Sequence, residues 1–377
     1  MKHRISILFN LIFIAALTAC VNLENLPAPE EAAMEATPVP QEEAASTAAM
    51  NTSDLIDNYD VPGFPAFAKA NTLMEIVSRD DDTIRVKHAY GETDIPADPQ
   101  RIYVHDLALM QILLSLDIEP IGAASFLEAL PVALQGKADN VELLLDFGEG
   151  VNLEQLAALN PDLILAHAQP APGMIDDEQY EAFSQIAPTV AFTGIPFFFW
   201  KEATIELGDF FGVPEKAEAV LTDYNAQVAD YRAQAQGILG DESVTILLLF
   251  DTTMWLYSVG GPTAEEYLPL SVTTWAYRDL RLTPAPEVSK LAGADYWAEV
   301  SLELIPEITA DHLIVFPNAY GGEEIGSGLD DYLDSPLWQT VPAVKDDKVY
   351  QMTTTNSIEG YWTTLHLIET FLDVLEE

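Results

Sequence analysis

Short apolar runs alternating with amphipathic segments dominate the chain from residue 84 onward. Apolar runs predict buried strands, and apolar positions at helical spacing predict helices. The predicted elements of the first part are strands at 84–90, 101–105, 120–124 and 163–166, a turn-rich link at 91–99, and helices ending at Leu116 and spanning 153–159. Strands alternating with helices are typical of βαβ units and a parallel sheet.

A long helical pattern separates two similar halves. It begins at Pro214, which is compatible with a first helical turn, and continues to about Leu239. A second series of strands then starts at 244–250. Asn152-Leu153-Glu154 before strand 162–165 is repeated as Ser301-Leu302-Glu303 before strand 311–316. The predicted fold class is α/β, with two similar lobes containing parallel-type sheets and joined by one long helix. A single continuous domain is the alternative.

The N-terminus has the pattern of an export signal. Lys2 and Arg4 precede an apolar run at 5–17, which is too short to span a bilayer and is interrupted by Asn10. Leu-Thr-Ala-Cys ends at Cys20, the only cysteine. This ending resembles a bacterial lipobox, and the resemblance implies cleavage before Cys20 and its lipidation.

Composition divides the rest of the chain. Residues 21–54 are rich in Ala, Glu, Pro, Ser and Thr, which predicts a flexible tether, whereas 55–79 have no interpretable pattern. The predicted organisation is a signal peptide at 1–19, a lipid-anchored tether at 20–78 that is poorly ordered to at least 54, an N-terminal lobe at 79–198, a connecting helix region at 199–240, and a C-terminal lobe at 241–377.

Charge and motifs exclude several classes of function. The chain has 16 Lys and Arg against 61 Asp and Glu, a formal net charge of −45. Such a chain does not favour nucleic acid or an anionic lipid surface. Gly-x-Ser-x-Gly, His-Glu-x-x-His and P-loop motifs are absent from the sequence, which indicates a binding protein and not an enzyme. A hydrolase with a carboxylate pair stays open.

Five segments in order resemble the siderophore-binding proteins of ABC importers. They are IRVKHAYGETDIPADPQRIYVHD, LLSLDIEPIGAA, NLEQLAALNPDLIL, YEAFSQIAPTV, and WKE with LGDFFGVPEKAEAVLTDY. The resemblance runs from about Ile84 to the C-terminus. It implies a bilobed periplasmic-binding fold, a ligand cleft between the lobes, and small closing motions because the linking helix resists bending.

Ligands of open α/β sheets bind beyond the carboxyl ends of the strands. This rule selects polar and aromatic residues after the predicted strands: His105 and Asp106, Ser125 and Phe126, His167 and Gln169, Trp255 and Tyr257, and Asn318 and Tyr320. The two histidines leave open a second interpretation, in which they ligate a metal ion or haem directly.

Aromatic residues and one arginine suggest the kind of ligand. Trp275 and Tyr277 join Trp255 and Tyr257 as candidates for an amphipathic surface, and Arg278 is the only arginine near a predicted cleft segment. Family members that bind tri-anionic ferric catecholates have arginines where this chain has His167, Gln169, Asp251 and Thr252. We therefore expect a neutral or weakly charged ligand, such as a ferric hydroxamate or a mixed-ligand siderophore.

The mirrored carboxylates Glu154 and Glu303 match positions that dock onto permease arginines in this family. The resemblance thus implies an extracytoplasmic lipoprotein, in the periplasm or at the cell surface, that delivers a ferric siderophore to an ABC permease dimer. We expect a monomer without a cofactor, with iron carried only as cargo. Haem, cobalamin or a metal ion is the alternative ligand.

Overall fold

The computed structural model describes residues 55–56, 59–62, 64, 73–146, 150–168, 174–193, 200–250, 253–259, 274–292, 297–317, 329, 333–352 and 360–376. The predicted signal peptide, Cys20 and the tether up to residue 54 lie outside these residues. Residues 50–377 form one compact unit. Within the described part of the chain, no helix is both long and apolar enough to cross a membrane.

Three antiparallel strands precede the first lobe: β1 (Glu75–Arg79), β2 (Thr83–His88) and β3 (Gly91–Pro96). The prediction of a link at 91–99 is wrong for β3, because these polar residues pair in full register with β2. Arg85 and Asp94 form a 2.7 Å ion pair across the two strands. This segment is extended because it pairs with β2, although its sequence has no apolar pattern. β1 starts before the predicted lobe boundary at residue 79.

The first lobe is built on a five-stranded sheet whose strands all run parallel. Its strands, in spatial order, are β6 (Glu142–Leu145), β5 (Gly122–Ser125), β4 (Ile102–Val104), β7 (Leu163–His167) and β8 (Thr189–Phe192). The helices between them are α1 (Leu107–Ser115), α2 (Leu153–Ala158) and α3 (Asp177–Ser184). β4, β5, β7 and β8 are buried throughout, as expected for a parallel sheet covered on both faces.

Two helices lead to the second lobe: α4 (Trp200–Phe210) and α5 (Pro214–Leu239). The predicted long helix is confirmed at both ends. Its buried face contains Leu221, Tyr224 and Val228, which are spaced three and four residues apart. Trp200 packs edge-on against Tyr224, with ring centroids 4.8 Å apart. The apolar spacing that predicts α5 therefore also determines which of its faces packs against α4.

The second lobe contains a mixed sheet. Its strands, in spatial order, are β12 (Trp297–Ser301), β10 (Thr253–Tyr257), β9 (Ser243–Leu249), β13 (His312–Pro317) and β14 (Val349–Gln351), with β11 (Thr283–Pro284) beside the start of β9. β9, β13 and β14 are parallel, whereas β10 is antiparallel to both its neighbours. Only residues 250–252 join β9 to β10. A connection this short can join antiparallel strands but not parallel ones.

Irregular and short helices complete the second lobe: π-helices at Thr274–Asp279 and Val288–Ala292, 3₁₀ helices at Leu302–Glu307 and Trp338–Thr340, and α6 (Pro342–Lys345). The last helix, α7 (Tyr361–Glu376), contacts both lobes. Gln111 of α1 accepts a 3.0 Å hydrogen bond from the Thr363 hydroxyl, and Lys137 lies over the Trp362 ring. α7 thus links the lobes, although its sequence position assigns it to the second. The fold as a whole confirms the predicted α/β class.

Part of the segment that had no sequence-based assignment belongs to the folded unit. The Asn225 amide of α5 donates to the Leu55 carbonyl at 2.8 Å, and Val61 is buried. Arg281 lies over the Tyr59 ring, 4.7 Å from its centroid. These contacts place Leu55 against α5 and Tyr59 against the second lobe.

Candidate functional site

Each sheet presents the carboxyl ends of its parallel strands along one edge, which we call its carboxyl edge. In the first lobe this edge is formed by β4 to β8. In the second lobe it is formed by β9, β13 and β14, together with the end of β12. β12 runs in the same direction as β9 because both are antiparallel to β10. Open α/β sheets bind ligands outside these edges.

His105 follows β4 at the carboxyl edge of the first lobe, and its ring is buried. The Tyr103 hydroxyl lies 3.4 Å from His105 Nδ1, and Asp146 Oδ2 lies 3.5 Å from Nε2. Phe183 packs edge-on against the imidazole. Burial lowers the pKa of His105 to about 4 and outweighs the attraction of Asp146 and Asp106. At neutral pH this ring is therefore uncharged.

Asp106 connects the second histidine to the start of α1. Its Oδ1 caps the helix by accepting a 2.7 Å hydrogen bond from the Leu109 N–H, and its Oδ2 contacts His167 Nε2. His167 is buried at the end of β7, beside the Phe192 ring. Burial pushes the pKa of Asp106 upward, but His167 and backbone N–H groups hold it below its ordinary value. Asp106 is a carboxylate with a side chain 21% exposed.

Asp146 is a candidate site residue that the sequence analysis missed. It follows β6, a strand that was not identified from the sequence. Its N–H donates to the Ser125 carbonyl at 2.9 Å, and its Oδ1 accepts from the Gly150 N–H at 3.0 Å. The carboxyl-end rule that selects His105 also selects Asp146 once β6 is recognised. The first lobe therefore has two histidine–aspartate pairs at one edge.

Of the other predicted ligand residues, two lie at a carboxyl edge. Phe126 follows β5, and its side chain is 51% exposed. Trp255 lies in β10 opposite Leu248, near the end of β9, and its ring is 5.1 Å from that of Phe250. Gln169 and Tyr320 lie outside the described residues. Ligand contact by any of these residues, and by His105 and His167, stays a prediction.

The second lobe directs several predicted ligand residues away from its carboxyl edge. Because β10 runs back along β9, Tyr257 lies inside the sheet and is buried. Trp275 packs against Phe371 of α7. The Tyr277 hydroxyl donates to the Val244 carbonyl at 3.2 Å, at the start of β9. The structure gives these aromatic side chains packing contacts in the core.

Arg278 lies in the same region. Its guanidinium is buried and donates to the Tyr59 carbonyl at 3.0 Å and the Val259 carbonyl at 3.1 Å. Burial lowers the pKa of Arg278 to about 10, against the opposing influence of Asp60 and Asp279. The sequence analysis placed Arg278 near a predicted cleft segment, beside Trp275 and Tyr277, and selected Tyr257 because it follows the strand at 244–250. The reversal at β10 places Tyr257 back along β9, away from its carboxyl end.

The mirrored glutamates both lie at carboxyl edges and are exposed. Glu154 is in the first turn of α2, where the Asn152 side chain accepts from its N–H at 2.9 Å. Glu303 is in the first turn of the 3₁₀ helix that follows β12, and Ser301 accepts from its N–H at 3.4 Å. The two lobes thus carry equivalent carboxylates in equivalent local structures.

The residues that the structure describes do not support direct ligation of a metal ion. No three His, Cys, Asp or Glu side chains there gather into a group able to hold a metal ion. His105 and His167 are each paired with an aspartate instead.

Known proteins are similar to this chain in sequence and in fold. The family profile described as "Periplasmic binding protein" matches residues 137–355. The Iron(3+)-hydroxamate-binding protein FhuD of Bacillus subtilis is 25% identical over 309 residues, covering 80% of this chain and 87% of FhuD. The probable siderophore-binding lipoprotein YfiY of the same species is 26% identical over 305 residues, covering 77% and 87%.

A solved structure shows the same fold. Staphylococcus aureus SirA complexed with staphyloferrin B is 24% identical and superposes with a TM-score of 0.58, covering 78% of this chain and 98% of SirA. The match spans nearly all of SirA, so the two lobes and their connecting helix belong to a fold already seen with a ligand.

Proposed function

The chain belongs to the periplasmic binding protein family, and we propose that it captures a ferric siderophore outside the cytoplasm and delivers it to the permease of an ABC importer. The observation that carries this proposal is that each lobe presents the carboxyl ends of parallel strands along one edge. The edge of the first lobe contains a site of polar and aromatic side chains. Curated relatives named for ferric hydroxamate and siderophore binding, aligned over most of their length, support it.

The family consists of substrate-binding proteins, so the chain is a binding protein and not an enzyme. This confirms the expectation drawn from the absence of catalytic motifs. No cofactor is needed for such a role, because the ferric ion arrives already enclosed by its siderophore.

The chemistry of the first-lobe site suits a ferric hydroxamate or a mixed-ligand complex. The Phe126 ring provides exposed apolar area for the organic shell of the ligand. The two buried imidazoles position their aspartate partners at this edge, beside the ligand. Trp255 contributes aromatic surface from the second lobe. Arg278 is left out of the binding surface that we propose, because backbone carbonyls bind its guanidinium.

Delivery requires docking on a membrane partner. Glu154 and Glu303 are exposed at the carboxyl edges, one on each lobe, which suits a permease with two similar halves that present arginines. The protein acts as a monomer, held at the membrane by lipid on Cys20 and by the tether that follows it.

Ligand titration tests the proposal. The full chain, purified in detergent, is titrated with a ferric trihydroxamate, haem and cobalamin while tryptophan fluorescence is followed. We expect saturable quenching by the ferric trihydroxamate, and none by the same trihydroxamate without iron at equal concentration. Saturation by haem or cobalamin alone would favour the alternative ligand class, and a response to none of the three would contradict the proposal.

A further inference from the structure

A buried polar contact joins a helix of the first lobe to a helix of the second. The Gln111 side chain of α1 is fully buried. Its Oε1 accepts hydrogen bonds from the Thr363 hydroxyl at 3.0 Å and from the Thr363 N–H at 3.3 Å. Thr363 lies in the first turn of α7, where backbone N–H groups have no acceptor within their own helix. A side chain of the first lobe therefore caps the start of α7.

Each of the two helices is fixed to its own lobe. α1 follows β4, and Asp106 of the first-lobe site caps its start. Gln111 lies five residues after Asp106, about 8 Å along the helix axis. α7 follows β14 and packs on the second lobe through Phe371, whose ring lies edge-on to those of Trp275 and Tyr350. Both helices begin at carboxyl edges, so their contact lies close to both edges.

The contact between the helices is too close for one to slide past the other. A Cβ atom at Gly360, the residue before α7, would lie 2.6 Å from both Cδ and Oε1 of Gln111. Non-bonded carbon atoms stay well beyond this distance, so only glycine lets the Gln111 amide lie against the chain here. Sliding would break the hydrogen bonds to Thr363 or drive Gln111 into the backbone, whereas a small rotation about the contact keeps both.

Among the residues that the structure describes, a second buried polar contact joins the lobes through α4. This helix packs against α1 of the first lobe, and its Lys201 forms a 2.7 Å ion pair with Asp279 of the second lobe. Breaking either buried contact leaves a polar group or a charge without its partner, which is costly. A rotation of one lobe against the other that keeps both contacts has an axis that passes through both.

We propose that the contact between Gln111 and Thr363 is a pivot on which the two lobes close over their ligand, and that the Lys201–Asp279 pair lies at the other end of the same axis. This inference rests on the proposed function for the ligand and adds how the closing motion is guided. A contact on the axis hardly changes as the lobes rotate. It limits the orientations that the free lobes sample, so less freedom is lost when the ligand binds.

The distance between the lobes tests the pivot. Gln155 and Leu304, exposed at the two carboxyl edges, are replaced by p-acetylphenylalanine in the full chain, and spin labels are attached there. Double electron–electron resonance in detergent then gives the distribution of distances between the labels, with and without a ferric trihydroxamate. We expect Gln111→Ala and Thr363→Val each to broaden the distribution of the ligand-free protein. Each should also weaken trihydroxamate binding about threefold, as the net loss of one hydrogen bond predicts.

A buried threonine whose hydrogen bond stays within one helix is the matched control. The Thr204 hydroxyl donates to the Trp200 carbonyl of α4 at 2.7 Å, so Thr204→Val also removes one buried hydrogen bond. Urea unfolding should show similar losses of stability for Thr204→Val and Thr363→Val. Only Thr363→Val should change the distances between the lobes and the affinity, which separates a pivot from a general loss of stability.

Gly360→Ala is a steric test of the same contact. The added Cβ does not fit beside the Gln111 amide, so it should displace α7 and shift the distances between the labels. Gln111→Ala in the same chain restores the space, and the double variant should behave like Gln111→Ala alone. If Gly360→Ala fails to fold, the Gln111 and Thr363 variants decide.

Unchanged distance distributions in both Gln111→Ala and Thr363→Val would overturn the inference, and so would equal broadening by Thr204→Val. A shift caused by Gly360→Ala that persists without the Gln111 side chain would also contradict it. The distances of the ligand-free protein are measured independently of the ligand. Failure of every ferric siderophore to bind would therefore count against the proposed function, while these distances still decide on the pivot.

Discussion

The two lobes use similar sheets for different purposes. In the first lobe all five strands run parallel, so the residues at or just after the ends of β4, β6 and β7 meet at one edge and form the histidine–aspartate pairs. In the second lobe β10 reverses direction and returns the chain to the amino end of β9, where Tyr277 and Arg278 are buried. One change of strand direction thus separates residues at a carboxyl edge from residues in the core.

Removing one carboxylate from each lobe gives the largest expected effect. In cells, Glu154→Ala combined with Glu303→Ala should abolish uptake of the ferric siderophore, because each close charge pair contributes substantially to docking. Ligand affinity measured by fluorescence should stay unchanged. Glu215→Ala, an exposed first-turn glutamate of α5, is the control and should transport normally. Normal uptake by the double variant would refute the docking assignment.

The second lobe depends on a buried ion pair for stability. Lys201 donates to Asp279 at 2.7 Å, and Tyr224 donates to the other carboxylate oxygen at the same distance. Lys201→Met leaves the Asp279 charge buried without its ammonium partner and should lower the free energy of unfolding by about 3–5 kcal/mol.

The control for this change is an exposed pair of the same kind. Lys216→Met removes the partner of Asp117 at the surface and should cost less than about 1 kcal/mol. Both values come from urea unfolding of the full chain in detergent. Equal losses in the two variants would show that burial does not determine the strength of the Lys201 pair.

The buried His105 of the first-lobe site should make the stability of the protein depend on pH. The folded-state pKa of His105 is about 4, below its ordinary value, because burial disfavours the charged ring. The unfolded chain therefore binds a proton first, and the stability from the neutral ring, complete above about pH 6.5, is lost as the pH falls toward 4.

Between pH 6.5 and 5 this loss amounts to about 2 kcal/mol. Thermal unfolding as a function of pH measures it, and His105→Gln should make the profile flatter. Burial also lowers the pKa of His88 to about 4, so His88 should account for the slope that remains in this variant. A profile of the unmodified chain that is flat over this interval would be inconsistent with a buried neutral His105.

The smallest effects compare one aromatic side chain from each lobe. Phe126→Ala should weaken ferric trihydroxamate binding about tenfold with little change in stability, because the ring is exposed at the first carboxyl edge. Tyr277→Phe should lower the free energy of unfolding by about 1 kcal/mol without changing affinity, because it removes only the hydrogen bond to Val244. Ligand titration and urea unfolding of both variants test these two expectations. A loss of affinity in Tyr277→Phe would mean that Tyr277 belongs to the ligand site.

The sequence by itself determined the elements with strong local signals. Pro214 and the apolar spacing up to Leu239 predicted α5 at both ends, and apolar runs predicted the strands that place His105 and His167. These signals are local, because helical spacing and a buried run of four or five residues are visible without any neighbour. In a parallel sheet, the position of a residue after its strand already indicates the edge at which it lies.

Only the tertiary structure decided the rest. β3 has a polar sequence and becomes a strand because β2 pairs with it, and β6 brings Asp146 beside His105 although the two are 41 positions apart in the chain. The direction of β10 placed Tyr257 and Arg278 away from the carboxyl edge. Strand pairing and direction depend on contacts between distant segments, and the apolar pattern of a strand is the same whichever way it runs.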